Sequence, residues 1–344
     1  MHRILFPSTL CQGYLACAIA LLALVSLGCS PSEYAPNART SPEARTTVRS
    51  ETATPSESPW QATTVVDRVG HSITLEHAPR RIVSLLPSAT ELLFAIGAGP
   101  AIVGATKHCN YPAEALAIPR VGSGLLEGTS REAILALKPD LVLCKWDTHE
   151  PLIALFDRVQ VPALNLGAEN LEELFVEAKL LGRATGHDHE AEAFINRMTD
   201  RREQLIQRVA TLDDSQQRTV FYEVWDDPLM TVGPKSFIGE LLKMGRMKNI
   251  FDDTEVPYPR ISSEVVVARN PEVILAPSSH VQQVEPATLA SRPGWSNIRA
   301  VTKHQIYAID GDEVSRCGPR MLNALEQMID AVYPETKLKD PNTP

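Results

Sequence analysis

Short apolar runs alternate with amphipathic segments along residues 81–166, and this alternation is typical of an α/β protein with a parallel sheet. Four runs rich in Val, Ile and Leu predict strands, at residues 81–86, 101–106, 140–144 and 161–166. Three helices are predicted between or after them, at residues 88–97, 130–137 and 151–159. Ser88 is the expected N-cap of the first helix. A β-hairpin is predicted ahead of the first strand, at residues 63–67 and 72–75.

The segment 170–212 has a helical pattern and is rich in charged residues. Its apolar residues recur three and four positions apart, so one face of each helix can pack on a core. Gly186 interrupts the pattern, and Asp188 can cap a second helical run. A helical connection of this kind between two α/β halves predicts that the halves move little relative to each other.

The second half of the chain repeats the pattern of the first. Strands are predicted at residues 218–224, 272–276 and 306–309, and a helix at 236–245. Residues 130–143 (SREAILALKPDLVL) align without a gap with residues 262–275 (SSEVVVARNPEVIL), with Ser, Glu, Ala, Pro and Leu at the same places. The alignment puts Glu132 and Glu264 at equivalent positions, and it predicts two lobes of similar topology.

The N-terminus predicts export. Arg3 precedes an apolar segment, residues 14–27, that ends at Gly28 and Cys29, as in a secretory signal peptide. Cys29 resembles the cysteine of a bacterial lipobox, which receives a lipid, and a plain signal peptide is the alternative. Residues 30–59 are dense in Ser, Thr, Pro, Glu and Arg and predict a flexible tether. The protein is therefore expected in the periplasm or at the cell surface, with a lipid as its only membrane anchor.

These patterns divide the chain into six predicted segments. They are a signal peptide (1–28), a lipidated Cys with a flexible linker (29–60), an N-terminal lobe (61–168), a helical connection (169–213), a C-terminal lobe (214–337) and a tail (338–344). The length of 344 residues agrees with two domains or lobes of ordinary size.

Composition and motifs exclude several classes of function. The chain carries 33 Lys and Arg against 42 Asp and Glu, a net charge of −9 without a basic run, which argues against nucleic acid as a partner. No stretch reaches the roughly 18 apolar residues of a transmembrane helix, so a polytopic membrane protein is excluded. The sequence lacks the motifs of serine hydrolases, zinc proteases and nucleotide-binding loops, and we expect no enzyme activity.

Three cysteines fall in the predicted lobes: Cys109, Cys144 and Cys317. An odd number in an exported protein allows at most one disulfide and leaves a free thiol. All three fall where cleft loops are predicted, so contact with a ligand and burial as small apolar side chains are both open. The sequence has no CxxC pair, and a structural zinc site is not expected.

Four segments carry a family resemblance. They are RIVSLLPSATELLFAIGAG (81–99), ALKPDLVL (136–143), VPYPRISSEVVVARNPEVILA (256–276) and SRCGPRMLNALEQM (315–328). In this order they resemble the periplasmic cobalamin-binding proteins of ABC importers. More broadly, they resemble the helical-backbone substrate-binding proteins that serve cobalamin, ferric-siderophore and haem uptake. The resemblance covers residues 80–333 and therefore both predicted lobes.

The resemblance implies an architecture and a function. It implies two α/β lobes joined by a single long rigid helix, with the ligand held in the cleft between the lobes. The function it implies is capture of cobalamin and delivery to the permease and ATPase subunits of an importer, by a monomer without a cofactor or resident metal. A ferric-siderophore or haem receptor is the alternative. A zinc or manganese receptor that uses His108, His149 and His280 is a further one.

The resemblance also implies where the partner docks. In the family, one Glu of each lobe docks onto arginines of the permease, and Glu132 and Glu264 match those positions. A capping role is the alternative for Glu132, because Thr129 and Glu132 have the spacing of a capping box.

Ligand contacts are expected from loops at the carboxyl ends of the strands, where the crevice of an α/β sheet opens. That rule and the family match together select His108, Cys109, Tyr111, Trp146, Trp225, Tyr258, Asp312 and Arg316. Flat aromatic faces suit a large macrocycle, and Asp or Arg can pair with its amide edge. A further hypothesis is that His108 or Cys109 contacts the cobalt of a corrinoid or an iron centre.

Overall fold

The computed structural model of the chain describes residues 60–280 and 285–336. The predicted signal peptide, Cys29, residues 30–59 of the predicted linker and the tail 338–344 lie outside the described residues, and those assignments stay predictions. The predicted hairpin is present as two antiparallel strands, β1 (Thr63–Val66) and β2 (Ser72–Leu75). The Asp67 carboxylate closes its turn by accepting hydrogen bonds from the amides of Val69 and His71, at 3.1 and 2.8 Å.

The N-terminal lobe is built on a four-stranded parallel sheet. Its strands are β3 (Ile82–Ser84), β4 (Ile102–Ala105), β5 (Leu141–Lys145) and β6 (Ala163–Leu166), in the order β4-β3-β5-β6. Its helices are α1 (Pro87–Ala95), α2 (Arg131–Ala136) and α3 (Glu150–Arg158). Strand residues of this sheet are almost all buried, as parallel strands covered on both faces should be.

Two predicted helix starts in this lobe are wrong by one residue. Helix α1 begins at Pro87, whose fixed φ suits the first helical turn, so Ser88 lies inside the helix instead of capping it. Helix α2 is capped by Ser130, whose side chain accepts a hydrogen bond from the Ala133 amide at 3.1 Å. The predicted Thr129 capping box is therefore absent, and the Thr129 hydroxyl instead donates to the Leu125 carbonyl at 2.7 Å.

The connection between the lobes contains two helices, α4 (Leu171–Thr185) and α5 (Asp188–Val209). Gly186 separates them because its φ of 76° is left-handed, a conformation that glycine adopts without strain. The Asn170 side chain caps α4, whereas α5 begins after His187 without a side-chain cap. The two predicted helical runs are present, but the connection is not the single helix that the family resemblance implies.

The C-terminal lobe is built on a second four-stranded parallel sheet. Its strands are β7 (Thr219–Tyr222), β10 (Lys248–Asn249), β11 (Val273–Pro277) and β12 (Ile306–Ile309), and a small antiparallel hairpin, β8 (Trp225–Asp226) and β9 (Leu229–Met230), follows β7. Its helices are α6 (Phe237–Met244), α7 (Ser263–Arg269), α8 (Pro286–Ser291), α9 (Arg299–Thr302), α10 (Gly311–Val314) and α11 (Met321–Val332).

The two lobes share one topology. The strand order of the second sheet is β10-β7-β11-β12. In both sheets the first strand of the lobe therefore lies between the second and the third, and the fourth forms an edge. The predicted architecture of two similar lobes with parallel sheets is confirmed.

Helix α5 holds the lobes together. It packs against α4, against α1 of the N-terminal lobe and against α11 of the C-terminal lobe. Arg201 and Arg208 on α5 form ion pairs with Glu326 and Asp330 on α11, so the helix is fixed to the C-terminal lobe by charge as well as by packing. Within the described ranges, no helix combines the length and the apolar character needed to cross a bilayer.

Candidate functional site

A cavity of about 1050 Å³ lies between the lobes, and both sheets contribute to it through loops at the carboxyl ends of their strands. From the N-terminal lobe it is lined by residues that follow β3, β4, β5 and β6, among them Leu85, Thr106, Asp147 and Gly167. From the C-terminal lobe it is lined by residues that follow β11 and β12, Ser278 and Asp310 among them. The cleft therefore lies where α/β folds place ligands.

Four of the eight ligand residues selected from the sequence line this cavity. They are His108, Tyr258, Asp312 and Arg316. Tyr258 is 38% exposed, and burial of its hydroxyl raises the pKa of the phenol, so it stays neutral at physiological pH. An exposed neutral tyrosine can present its ring face to an apolar ligand and its hydroxyl to a polar one.

Arg316 uses its guanidinium to join the lobes. One amino group donates to Glu91 Oε1 and Asn110 Oδ1 of the N-terminal lobe, both at 2.9 Å. The other donates to the His108 carbonyl at 3.0 Å and to Asp312 Oδ1 at 2.6 Å. Arg316 therefore lines the cleft while its hydrogen-bonding groups are engaged by protein atoms.

Glu91 is the centre of this cluster, and the sequence analysis did not select it. Its side chain is 2% exposed, and besides Arg316 it accepts two hydrogen bonds from Arg320, at 2.9 and 2.8 Å. Donation to Glu91 raises the pKa of Arg320. A carboxylate on an otherwise apolar helix face was the available signal, because such a group is buried only when it is paired.

The other four selected residues do not line the cavity. Tyr111 is 46% exposed and lies under the guanidinium of Arg320, whose carbon is 4.1 Å from the ring centroid. Trp146 packs beside Gly167 and beneath Arg68, at 5.6 Å from ring centroid to guanidinium. The Trp225 indole donates to the Asp227 carbonyl at 2.8 Å on the exposed hairpin β8–β9.

Cys109 is the fourth selected residue that does not line the cavity. It is 1% exposed, and its Sγ lies 3.2 Å from Thr106 Oγ1. The three lobe cysteines are free thiols, and no disulfide occurs in the described part of the chain. Cys144 lies inside β5 and is fully buried, so its predicted place in a cleft loop is wrong. Cys317 does line the cavity, and burial raises the pKa of both Cys144 and Cys317, which keeps these thiols protonated.

A buried carboxylate holds the cleft-lining segment at Gly167. Glu177 of α4 accepts a hydrogen bond from the Gly167 amide at 2.5 Å, directly after β6. Burial raises the pKa of Glu177 to about 7, and the hydrogen bond from the Gly167 amide opposes that shift only in part. Glu177 therefore titrates in the neutral range while it holds a cleft-lining segment.

The charged side chains around the cavity nearly cancel. The lining residues that the structure describes include three basic side chains, Lys145, Lys235 and Arg316, and four acidic ones, Asp147, Glu169, Asp310 and Asp312. Each of the three basic groups forms an ion pair, Lys145 with Asp147 at 2.5 Å, Arg316 with Asp312 at 2.6 Å, and Lys235 with Glu255. The described cleft therefore offers no surplus positive charge to an anionic ligand.

One of the histidines named for a zinc or manganese receptor, His149, is already engaged by backbone groups. His149 is 1% exposed and uses both ring nitrogens, Nδ1 with the Lys145 amide and Nε2 with the Gly124 carbonyl, each at 2.8 Å. The side chain of His280 lies outside the described part of the structure. Across residues 60–280 and 285–336, no three His, Cys, Asp or Glu side chains are grouped as metal ligands.

Comparison with known proteins places this fold and cleft in a family. A family model described as "Periplasmic binding protein" matches residues 82–313. The chain belongs to that family. It is therefore a substrate-binding protein and not an enzyme, and its family implies export from the cytoplasm.

Two curated relatives match most of the chain. YvrC of Bacillus subtilis, an uncharacterised ABC transporter substrate-binding lipoprotein, is 28% identical over 278 residues, which is 79% of this chain and 86% of YvrC. A vitamin B12-binding protein of Vibrio cholerae is 30% identical over 264 residues, 72% of this chain and 87% of that protein. Substrate-binding proteins of ABC transporters pass small molecules to permease and ATPase subunits, and this periplasmic binding protein has the same kind of partners.

Two solved structures show how widely the fold is used. The vitamin B12-binding protein BtuF of Vibrio cholerae has a TM-score of 0.64 and 26% identity, and covers 76% of this chain and 99% of its own. The haem-binding protein RhuT of Roseiflexus has a TM-score of 0.66, 24% identity and coverages of 75% and 99%. At that identity the second likeness shows the shared fold alone. The same fold is thus found in a vitamin B12-binding and in a haem-binding protein.

The two carboxylates selected for docking are both on the surface of this binding protein. Glu132 and Glu264 are exposed, each in the first turn of a short helix, α2 or α7. The Ser130 hydroxyl lies 3.4 Å from Glu132, and hydrogen bonds from its own backbone amide and from Ser262 lower the pKa of Glu264. In the described residues neither carboxylate forms an ion pair, so both are available to a cationic partner.

Proposed function

We propose that this protein captures cobalamin in the cleft between its lobes and delivers it to an ABC importer of the cytoplasmic membrane. The observation that carries the proposal is the cleft itself, with about 1050 Å³ of space, a tyrosine face and no surplus positive charge among its described lining residues. A vitamin B12-binding protein at 30% identity supports the same ligand class.

The size of the cavity favours a large ligand. Pockets for ordinary small molecules span about 300–1,000 Å³, so this cleft is at the upper limit of that range. An amino acid or a bare metal ion would leave most of it filled with water. A corrinoid macrocycle with its side chains is of the right class, since it combines broad apolar faces with an edge of neutral amides.

The charge of the cavity favours cobalamin over its rivals. Haem carries two carboxylates, and ferric siderophores are usually anionic complexes, so a site for either needs cations that are not already neutralised by the protein. The pairing of Lys145, Lys235 and Arg316 with acids leaves a cleft better matched to a ligand that binds through neutral amides. Lys145 and Lys235 lie at the surface and are already paired. An acidic group of a ligand would have to displace Asp147 or Glu255 in order to bind them.

Delivery would use Glu132 and Glu264 as docking points for arginines of the two permease subunits. Their equivalent positions in the two lobes fit a permease with two similar subunits, because each lobe then presents the same kind of contact. The protein would act as a monomer, tethered to the membrane by a lipid on Cys29 and by the linker that follows.

Equilibrium dialysis with labelled cyanocobalamin, in the presence of haem or a ferric siderophore as competitor, tests the ligand class. The proposal predicts that the label is retained and that about a tenfold excess of either competitor leaves most of it bound. Complete displacement by haem, or retention of haem alone, would assign the cleft to the rival class.

A further inference from the structure

His149 connects two separate segments of the cleft wall. Its Nδ1 faces the Lys145 amide and its Nε2 faces the Gly124 carbonyl, each at 2.8 Å. A backbone amide can only donate and a carbonyl can only accept, so Nδ1 must be the acceptor and Nε2 must carry the proton. Lys145 and Gly124 both line the cavity, and the ring between them is 1% exposed.

The segment that His149 holds is a tight turn. Within it the Ser123 amide donates to the Gly128 carbonyl at 2.9 Å, and the Gly128 amide donates to the Leu125 carbonyl at 3.1 Å. In the described structure, the bond from His149 is the one hydrogen bond by which residues 123–125 are held to a group outside residues 121–130. The Gly122 carbonyl beside this segment accepts a hydrogen bond from the Lys107 amide at 2.8 Å, so the ring fixes the tip of the turn and not its base.

The same turn presents an apolar side chain to the cleft. Leu125 is 66% exposed and lines the cavity from the N-terminal lobe, while Tyr258 lines it from the C-terminal lobe. When a ligand covers a large apolar side chain that is exposed in a cavity, binding gains about 25 cal/mol for each Å² removed from water. The contribution of Leu125 to binding thus requires that the turn be held in place.

We propose that His149 is a positioning residue of the binding site, whose neutral imidazole holds the turn 123–125 so that Leu125 forms one apolar wall against the ligand. The proposal deepens the function proposed above and rests on it for the identity of the ligand. It assigns to His149 a role in binding although the ring, which lines the cavity, is only 1% exposed.

Protonation would detach the ring from the Lys145 amide, although the protonated Nε2 would still donate to the Gly124 carbonyl. A proton on Nδ1 would face the Lys145 amide, so two donors would meet and the hydrogen bond would be lost. The charged groups facing the ring are Lys145 and Asp147, both from the corner between β5 and α3. Burial is the largest influence and lowers the pKa of His149; Lys145 lowers it further, while the Gly124 carbonyl and Asp147 oppose the shift. The ring is therefore neutral at pH 7, and its attachment to the Lys145 amide is lost only in acid.

Two variants distinguish the effect of the two hydrogen bonds of His149 from the effect of the space that its ring fills. His149→Phe keeps an aromatic ring and leaves Gly124 and the Lys145 amide without their partner. His149→Gln keeps a donor for the Gly124 carbonyl but cannot titrate. His187→Phe is the matched control, because His187 is a partly buried histidine, 2.9 Å from the Thr185 carbonyl, that lies outside the cleft.

The first measurement is hydrogen exchange at the Ser123 and Gly128 amides of the ligand-free protein, which needs no knowledge of the ligand. His149→Phe should raise exchange at these two amides at least about tenfold, the effect of losing roughly one hydrogen bond, while amides of α5 stay protected. His149→Gln should restore most of the protection, and His187→Phe should leave it unchanged.

The second measurement is the affinity for cyanocobalamin between pH 5 and 8. His149→Phe should weaken binding about tenfold at pH 7. Wild-type affinity should fall in acid, whereas that of His149→Gln should not follow this fall. Unchanged exchange at Ser123 and Gly128 in His149→Phe, or an equal rise throughout the fold, would overturn the proposal. If the exchange result holds but no variant, wild type included, binds cyanocobalamin, the ligand assignment fails and the positioning role stands.

Discussion

Glu132 and Glu264 occupy the same position in the two lobes. Each is the second residue of a short helix that follows a serine N-cap, and each helix leads into the third strand of its sheet, β5 or β11. Each helix also follows a loop that lines the cleft, through Leu125 in one lobe and Tyr258 in the other. The proposed docking points are therefore directly connected along the chain to opposite walls of the ligand site.

This relationship predicts a separation of transport from binding. Charge reversal at both positions, Glu132→Lys with Glu264→Lys, should lower uptake by about tenfold or more, because each lysine would face the permease arginines with like charge. The affinity for ligand should stay the same, since neither carboxylate lines the cleft.

Uptake by cells and ligand titration of the purified variant are the two measurements. Glu192→Lys is the matched control, because Glu192 is an exposed carboxylate on the connecting helix α5 and should be neutral in both assays. Loss of affinity in the double variant would mean that these residues serve the fold or the site instead of the partner.

The cluster around Glu91 predicts a large loss of stability from one substitution. Glu91→Ala leaves the guanidinium groups of Arg316 and Arg320 without their buried partner, and such a change costs about 3–5 kcal/mol of unfolding free energy. Urea denaturation measures it. Lys235→Ala, which breaks the exposed pair with Glu255, is the control and should leave the midpoint unchanged. Similar midpoints for the two variants would contradict the central role of Glu91.

Glu177 predicts a stability that falls as pH rises. Its pKa in the folded protein is about 7, above its ordinary value of about 4.3 in an unfolded chain. The folded state thus binds more protons between these values, and its advantage is complete below pH 4 and lost as pH rises through 7. Glu177→Gln keeps an acceptor for the Gly167 amide without a charge, so it should stabilise the protein at pH 8 by up to about 3 kcal/mol.

Urea denaturation of both proteins at pH 5, 6, 7 and 8 checks this sign. The difference in unfolding free energy between Glu177→Gln and wild type should increase with pH. Glu190→Gln, at an exposed carboxylate of α5, should show no such trend. A difference that decreases with rising pH would show that Glu177 is ionised and stabilising in the folded state.

The proposed lipid on Cys29 predicts a change of cell fraction. Cys29→Ser should abolish incorporation of labelled palmitate and move the protein from the membrane fraction to the soluble exported fraction. Cys17→Ser is the matched control, because Cys17 lies within the predicted signal peptide and should not affect labelling. Palmitate labelling that persists in Cys29→Ser would remove Cys29 as the anchor.

The sequence predicted the sheets well because buried parallel strands have a strong local signature. The runs at residues 81–86, 140–144 and 161–166 are each rich in apolar residues, and all three contain strands of the N-terminal sheet. The gap-free repeat predicted the shared topology, since helix, proline corner and strand recur in order. The ends of the elements were less certain, as at Ser88, where Pro87 starts the helix one residue earlier.

The position of the cleft could be predicted from topology, but the residues that line it could not all be identified from the sequence. At the end of β5, Lys145 and Asp147 line the cavity, while Trp146 between them packs beside Gly167 and does not line it. The strand ends at Lys145 and a turn follows, so the alternation of side chains along a strand does not decide which of these residues faces the cleft. The pairing of Glu91 with Arg316 could not be predicted either, because 225 residues separate them and only the tertiary fold brings them together.

A calorimetric titration of the purified protein with cyanocobalamin tests the central claim most directly. The account predicts one-to-one binding with a Kd of about 1 μM or tighter, a free energy near −8 kcal/mol, and pigment that stays with the protein on gel filtration. Absence of heat and of bound pigment, at concentrations where haem or a ferric siderophore does bind, would contradict it.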